Sequence, residues 1–172
     1  MNTLLRAIEF ARKAHSGQRR KYTGESYIEH PLEVMSIVSK VTDDKAVLCA
    51  AVLHDTVEDC DVTIEEIEKH FGSWVAGLVS NLTDVSEPED GNRAARKNVD
   101  LLHTAQAHWE AKTIKLADLI SNTRSIVEHD KEFARVYIKE KEALLEVLTE
   151  GDEYLYEVAS DLVKKSKEEL GL

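Results

Sequence analysis

Residues 44–59 read DKAVLCAAVLHDTVED. From Ala46 to Leu53 every side chain is apolar, so a helix formed here has no wet face and belongs at the centre of a helical domain. Thr42, Asp43 and Asp44 precede it as capping residues, and the pattern predicts one helix running through to Asp59. Its far end is crowded with charge. His54 and Glu58 lie four residues apart, as do Asp55 and Asp59, so two pairs share neighbouring faces. This is either a solvated helix end or a site. Acids at a helix C-terminus oppose the macrodipole, which makes Glu58 and Asp59 poorly placed as surface decoration.

Helical signals continue on both sides. Asn2 or Thr3 caps a first helix with apolar positions at Leu4, Ile8, Ala11 and Ala14, ending near Ser16 and Gly17. The stretch GQRRKYTGESYIEH lacks periodicity and reads as a loop, after which Pro31 suits the first turn of a second helix. Thr63 and Glu66 form a capping box for a short helix ending near His70, and FGSWVAGLVSNLT supplies another apolar helix. DVSEPEDGN breaks the pattern as an internal loop. Helices are then expected from Arg93 to about Ala107, over WEAKTIKLADLISNTRSI, and twice between Lys131 and Leu170 with a break at Glu150-Gly151-Asp152. Trp74 and Trp109, at helical spacing among apolar neighbours, are expected in the core.

Two prolines and seven glycines in 172 residues, with abundant Ala, Leu, Glu and Lys, favour an all-α fold, and the length suits a single domain, 1–172. The net charge of −11 argues against nonspecific binding to nucleic acid or to an anionic membrane. No stretch approaches a membrane span and the N-terminus lacks a signal peptide's apolar core. Cys49 and Cys60 show no zinc-type spacing and read as reduced thiols lining a core. A cytoplasmic protein with a small-molecule partner is the expectation.

Imidazole and carboxylate are divalent-metal ligands, and adjacent His54 and Asp55 at the end of a buried helix can reach one ion. Further ligands must come from elsewhere. His30, in YIEHP, and Asp118, in KLADLISN, are each flanked by apolar residues, and a buried carboxylate is costly unless paired or bound to a cation. Arg19, Arg20 and Lys21 form the basic patch that an acidic protein needs for a phosphorylated ligand. Asn122 and Ser125, four and seven residues after Asp118, lie on its helical face.

His30, His54-Asp55 and Asp118, in that order, resemble the H…HD…D signature of HD-domain metal-dependent phosphohydrolases. AHSGQRRKYTGESYIEHP, AAVLHDTVEDCDVTIEEIEKHFGSWVAGLV and IKLADLISNTRSI together resemble the hydrolase domain of the RelA/SpoT alarmone enzymes and its small free-standing form, the Mesh1-like hydrolases. The resemblance implies an HD-domain helical bundle and a pyrophosphohydrolase removing the 3′-diphosphate from guanosine or adenosine alarmones. It implies manganese held by His30, His54, Asp55 and Asp118, with Glu58 and Asp59 handling water and protons. Arg20 would stack on the base, Lys21 would meet phosphate, and Asn122, Ser125 and Lys97 would face the nucleotide.

Relatives commonly carry Arg where this chain has Leu119, which removes one charge. Long bifunctional relatives append synthetase domains, so a chain of this length is expected to degrade and not to synthesise. HD sites accept varied phosphoesters. A different phosphorylated nucleotide such as NADPH, or a catalytically inactive nucleotide-binding module, are the alternatives.

Overall fold

The computed structural model describes residues 2–172. Among them there is no strand, only an isolated bridge between Arg19 and Ser26. The chain divides into two compact units, one running to Thr83 and the other from Asp84 to Leu172.

The first unit holds α1 (Thr3–Ala14), α2 (Glu29–Val38), α3 (Lys45–Leu53), α4 (Thr56–Asp59), α5 (Ile64–Phe71) and α6 (Ser73–Leu82). The apolar helix α3 is its hub, packed by α1, α2 and α6, with Val47 to Leu53 all buried. Local chemistry sets the boundaries. Asn2 Oδ1 accepts from Leu4 N–H, Asp44 caps α3 through Ala46 and Val47, and Thr63 and Glu66 form the expected capping box. Gly72 ends α5 and begins α6 at φ +90°, a backbone conformation that costs a side-chain-bearing residue.

One expectation is corrected. HDTVED does not continue α3; the helix ends at Leu53, two turn residues follow, and α4 starts at Thr56. The last carbonyls of α3 take side-chain donors instead: His54 Nδ1 reaches Ala51 O at 2.8 Å and Thr56 Oγ1 reaches Leu53 O at 2.7 Å.

In the second unit, a 3-10 turn at Pro88–Asp90 precedes α7 (Arg93–Ala105), α8 (Trp109–His129), α9 (Lys131–Val147) and α10 (Glu153–Leu170). α8 is central, packed by α9 and α10, with α7 on α9. The α9–α10 turn docks closely on α8. Lys112, buried, pairs with Glu150, and Asp152 N–H donates to Thr113 Oγ1 at 2.9 Å. A Cβ on Gly151 would stand 2.8 Å from Leu116 Cδ1. Trp74 and Trp109 do not enter a core: they are 46% and 52% exposed, because apolar spacing alone does not say which side of the stripe an indole borders. No helix among the described residues is long and apolar enough to cross a membrane.

Candidate metal and substrate site

His30 sits on the first turn of α2, while His54 and Asp55 form the break between α3 and α4. Each offers one ligand atom, and these atoms lie within 4.8 Å of one another. Both histidines are buried. His30 Nε2 lies 3.6 Å from Asp55 Oδ2, and His54 Nε2 lies 3.1 Å from Asp55 Oδ1.

The chemistry of these donors fits a cation. A carbonyl can only accept, so the contact with Ala51 O places a hydrogen on His54 Nδ1. In the neutral ring, Nε2 then presents a lone pair toward Asp55 Oδ1. A neutral imidazole nitrogen and a carboxylate oxygen converging in this way are the donor types that a divalent cation takes.

Tyr27, which the sequence reading did not single out, joins this cluster. Its hydroxyl donates toward Asp55 Oδ2 at 2.8 Å and Asp59 Oδ2 at 3.0 Å. Burial, then the charges of Asp55 and Asp59, push its pKa well above the ordinary phenol value, so it stays a donor. Asp59 is exposed, but its carboxyl turns toward Tyr27. Partial burial first, then the charge of Asp55, raises its pKa above the usual carboxylate range. That suits a group handling protons. Glu58 is exposed on the same short helix.

The preceding loop is tied to this cluster. His15, buried, contacts Gln18 Oε1 through Nδ1 at 2.8 Å, and Gln18 Nε2 donates to the Asp59 carbonyl at 2.8 Å. The Cys60 thiol lies 3.2 Å from His15 Nδ1. Burial, then Asp59, raises its pKa, and Cys49, fully buried, is pushed up to about 11, so both free cysteines are protonated thiols. The Arg20 guanidinium lies over the Tyr27 ring at 5.9 Å, and the exposed Lys21 lies over the ring of Tyr22 at 4.8 Å. Arg19 is exposed.

The remaining candidates are carried by the second unit. Asp118, on α8, accepts from Asn122 Nδ2 at 2.6 Å and lies 3.9 Å from Lys115 Nζ. Asn122 thus spends a donor on Asp118. Ser125 is half-buried on the same helix, and its carbonyl takes the His129 ring at 2.8 Å. Leu119 is 1% exposed, so its side chain faces the interior. Lys97 lies 2.8 Å from Asp84 Oδ2 and 3.5 Å from Asp100 Oδ2. Burial disfavours its ammonium, but the two carboxylates outweigh this and raise its pKa.

Lys97 also lines a cavity of about 640 Å³ with Arg93, Lys115, Arg135, Lys139 and Lys141. The sequence points to a basic patch at Arg19–Lys21 and carries no local signal for this second one. Its cations come from α7, α8 and α9 and, Lys97 apart, look like ordinary surface charges in the sequence; Asp84, Asp100 and Glu140 line the cavity with them. Burial, then the Lys115 charge, lowers the pKa of Lys141 to about 8.

Comparison with known proteins shows the family. The HD domain family model matches residues 7–146, a span that includes parts of both units. The MESH1 guanosine-3′,5′-bis(diphosphate) 3′-pyrophosphohydrolase of Xenopus tropicalis is 42% identical over 126 residues, covering 72% of this chain and 69% of that protein. The human MESH1 protein is 40% identical over 126 residues, with the same two coverages. A solved structure of a metazoan orthologue of SpoT, described as hydrolysing ppGpp, superposes with a TM-score of 0.87 at 29% identity, covering 96% of both chains. The donor cluster at the end of α3, the helical architecture and these likenesses agree: the chain belongs to the HD-domain family and groups with the MESH1 proteins.

Proposed function

We propose that this protein is a metal-dependent pyrophosphohydrolase that removes the 3′-diphosphate from a guanosine tetra- or pentaphosphate alarmone, or its adenosine counterpart. Water cleaves the 3′ ester, giving pyrophosphate and a nucleoside di- or triphosphate. The observation carrying this reading is the convergence of His30, His54 and Asp55 donor atoms within 4.8 Å, with Asp59 joined to Asp55 through one phenol. Relatives named for this hydrolysis support the substrate class.

In this reading His30, His54, Asp55 and Asp118 hold a divalent ion, manganese by preference. When bound, such an ion polarises the phosphoryl group and acidifies water. Asp59, with its raised pKa, accepts the proton lost by the attacking water, and Glu58 orients that water. Arg20 offers a guanidinium plane for the base, and Lys21, Lys97, Asn122 and Ser125 meet sugar and phosphate. In the second unit, Arg93, Lys97, Lys115, Arg135, Lys139 and Lys141 outnumber Asp84, Asp100 and Glu140 around one cavity, a local positive excess that suits an anionic ligand on a protein of net charge −11. The partner is a small nucleotide, and the compartment is the cytoplasm.

The test is product identification. Purified protein with Mn²⁺ is incubated with guanosine and adenosine 3′-diphosphate alarmones and with NADPH, and pyrophosphate and phosphate are scored separately. Pyrophosphate from an alarmone is expected. Phosphate from NADPH alone would replace the substrate, and tight nucleotide binding without turnover at any divalent metal would make the protein a binding module.

A further inference from the structure

We propose that Tyr27 is a positioning residue of the metal centre: its hydroxyl fixes the rotation of the Asp55 carboxylate, and its ring buttresses His30. The inference rests on the metal-site reading above. A carboxylate turns broadly about its last torsion, so a ligand that must aim one oxygen needs an anchor on the other. Asp55 lies in the two-residue break between α3 and α4, and its carboxylate does not cap α4.

Tyr27 supplies the anchor. Its single hydroxyl hydrogen faces Asp55 Oδ2 at 2.8 Å and Asp59 Oδ2 at 3.0 Å. Ionised carboxylates donate nothing, so one hydrogen serves both, and the shorter contact belongs to Asp55. With Oδ2 held there, Oδ1 of the same group lies on the His54 Nε2 side, 3.1 Å away. His30 Nε2 lies 3.6 Å from Oδ2, so by holding that oxygen the phenol fixes how the carboxylate is turned between the two histidines.

The anchor is itself held firmly. The His15 ring packs on the Tyr27 ring at 4.7 Å, Arg20 lies over it at 5.9 Å, and the His30 ring meets it edge-on at 6.0 Å. In the backbone, Tyr27 N–H donates to Gln18 O at 3.1 Å, and its carbonyl accepts from His30 N–H at 3.0 Å. Tyr27 touches one proposed ligand through its oxygen and another through its ring. It needs no contact with substrate to act.

Tyr27→Phe removes one oxygen and keeps the ring. Isothermal titration of Mn²⁺ into the purified full chain, without nucleotide, should show affinity about 10- to 100-fold weaker than wild type, the range of lost outer-shell partners. At saturating Mn²⁺, kcat should fall while KM holds. Asp59→Asn should lower turnover and leave Mn²⁺ affinity at the wild-type value, because only the Asp55 contact orients the ligand. 4-Aminophenylalanine at position 27 retains an N–H donor and should restore the affinity.

Wild-type Mn²⁺ affinity in Tyr27→Phe would overturn the assignment. If that variant fails to fold by circular dichroism, the 4-aminophenylalanine protein decides: weakened Mn²⁺ binding in a folded chain overturns it equally. A wild type that binds Mn²⁺ and releases no pyrophosphate removes the functional reading alone, leaving Tyr27 to be judged by calorimetry. A wild type that binds no metal removes both.

Discussion

His54 Nδ1 and the Ala51 carbonyl, three residues apart on one turn, are hydrogen-bonded at 2.8 Å. This bond leaves Nε2 as the atom aimed toward Asp55. On the proposed metal-site reading, His54→Ala takes away a donor atom of the ion itself and should weaken Mn²⁺ affinity by more than about 100-fold. Turnover should fall in parallel. Elemental analysis after gel filtration, paired with pyrophosphate release, checks this; full metal content in the variant would remove His54 from the site.

The Asn122 amide donates to Asp118 at 2.6 Å. If Asp118 is a ligand, Asn122→Ala should reduce Mn²⁺ affinity about tenfold. A raised KM with untouched metal affinity would return Asn122 to a role confined to substrate.

The local signals in the sequence were the legible ones. Asn2, Asp44 and the Thr63–Glu66 box start helices through bonds to N–H groups two or three residues away, so the residues carry their own instructions. The break after Leu53 was not legible. Histidine and threonine at the end of an apolar helix are compatible with its continuation, and only the folded chain shows their side chains taking the Ala51 and Leu53 carbonyls. Tyr27 and Asp55 are 28 positions apart, and no periodicity relates a loop tyrosine to a helix-end aspartate. Arg93, Lys115 and Lys141 likewise meet only through tertiary packing of three helices.

Asp100 makes the second unit acid-sensitive. Burial alone would raise its pKa, but donors from Ser86 N–H and Oγ, the Lys97 ammonium and Val85 N–H outweigh that and hold it below the ordinary carboxylate value. A depressed carboxylate contributes stability that is complete above the unfolded pKa, about 4, and is lost as pH falls through the lower folded value. Urea unfolding midpoints should therefore drop below about pH 4. Asp100→Asn should cost about 1–3 kcal/mol at neutral pH and flatten that acid limb. An unchanged limb would assign it to other carboxylates.

Gly151 tests the docking of the α9–α10 turn on α8. A methyl group there would lie 2.8 Å from Leu116 Cδ1 and 3.2 Å from both Leu148 O and the Lys112 carbonyl carbon. Two of those three atoms are backbone and cannot step aside cheaply. Gly151→Ala should destabilise by about 1–3 kcal/mol through overpacking, read as a lowered urea midpoint. A neutral result would mean that the turn shifts freely.

The bond between His54 and Ala51 has one more consequence. Because the imidazole is oriented by a carbonyl of its own turn, its aim is encoded within four consecutive residues and travels with them. Such a segment is portable: grafted onto another apolar helix end, it would bring an aimed imidazole without recruiting a distant carboxylate to hold it.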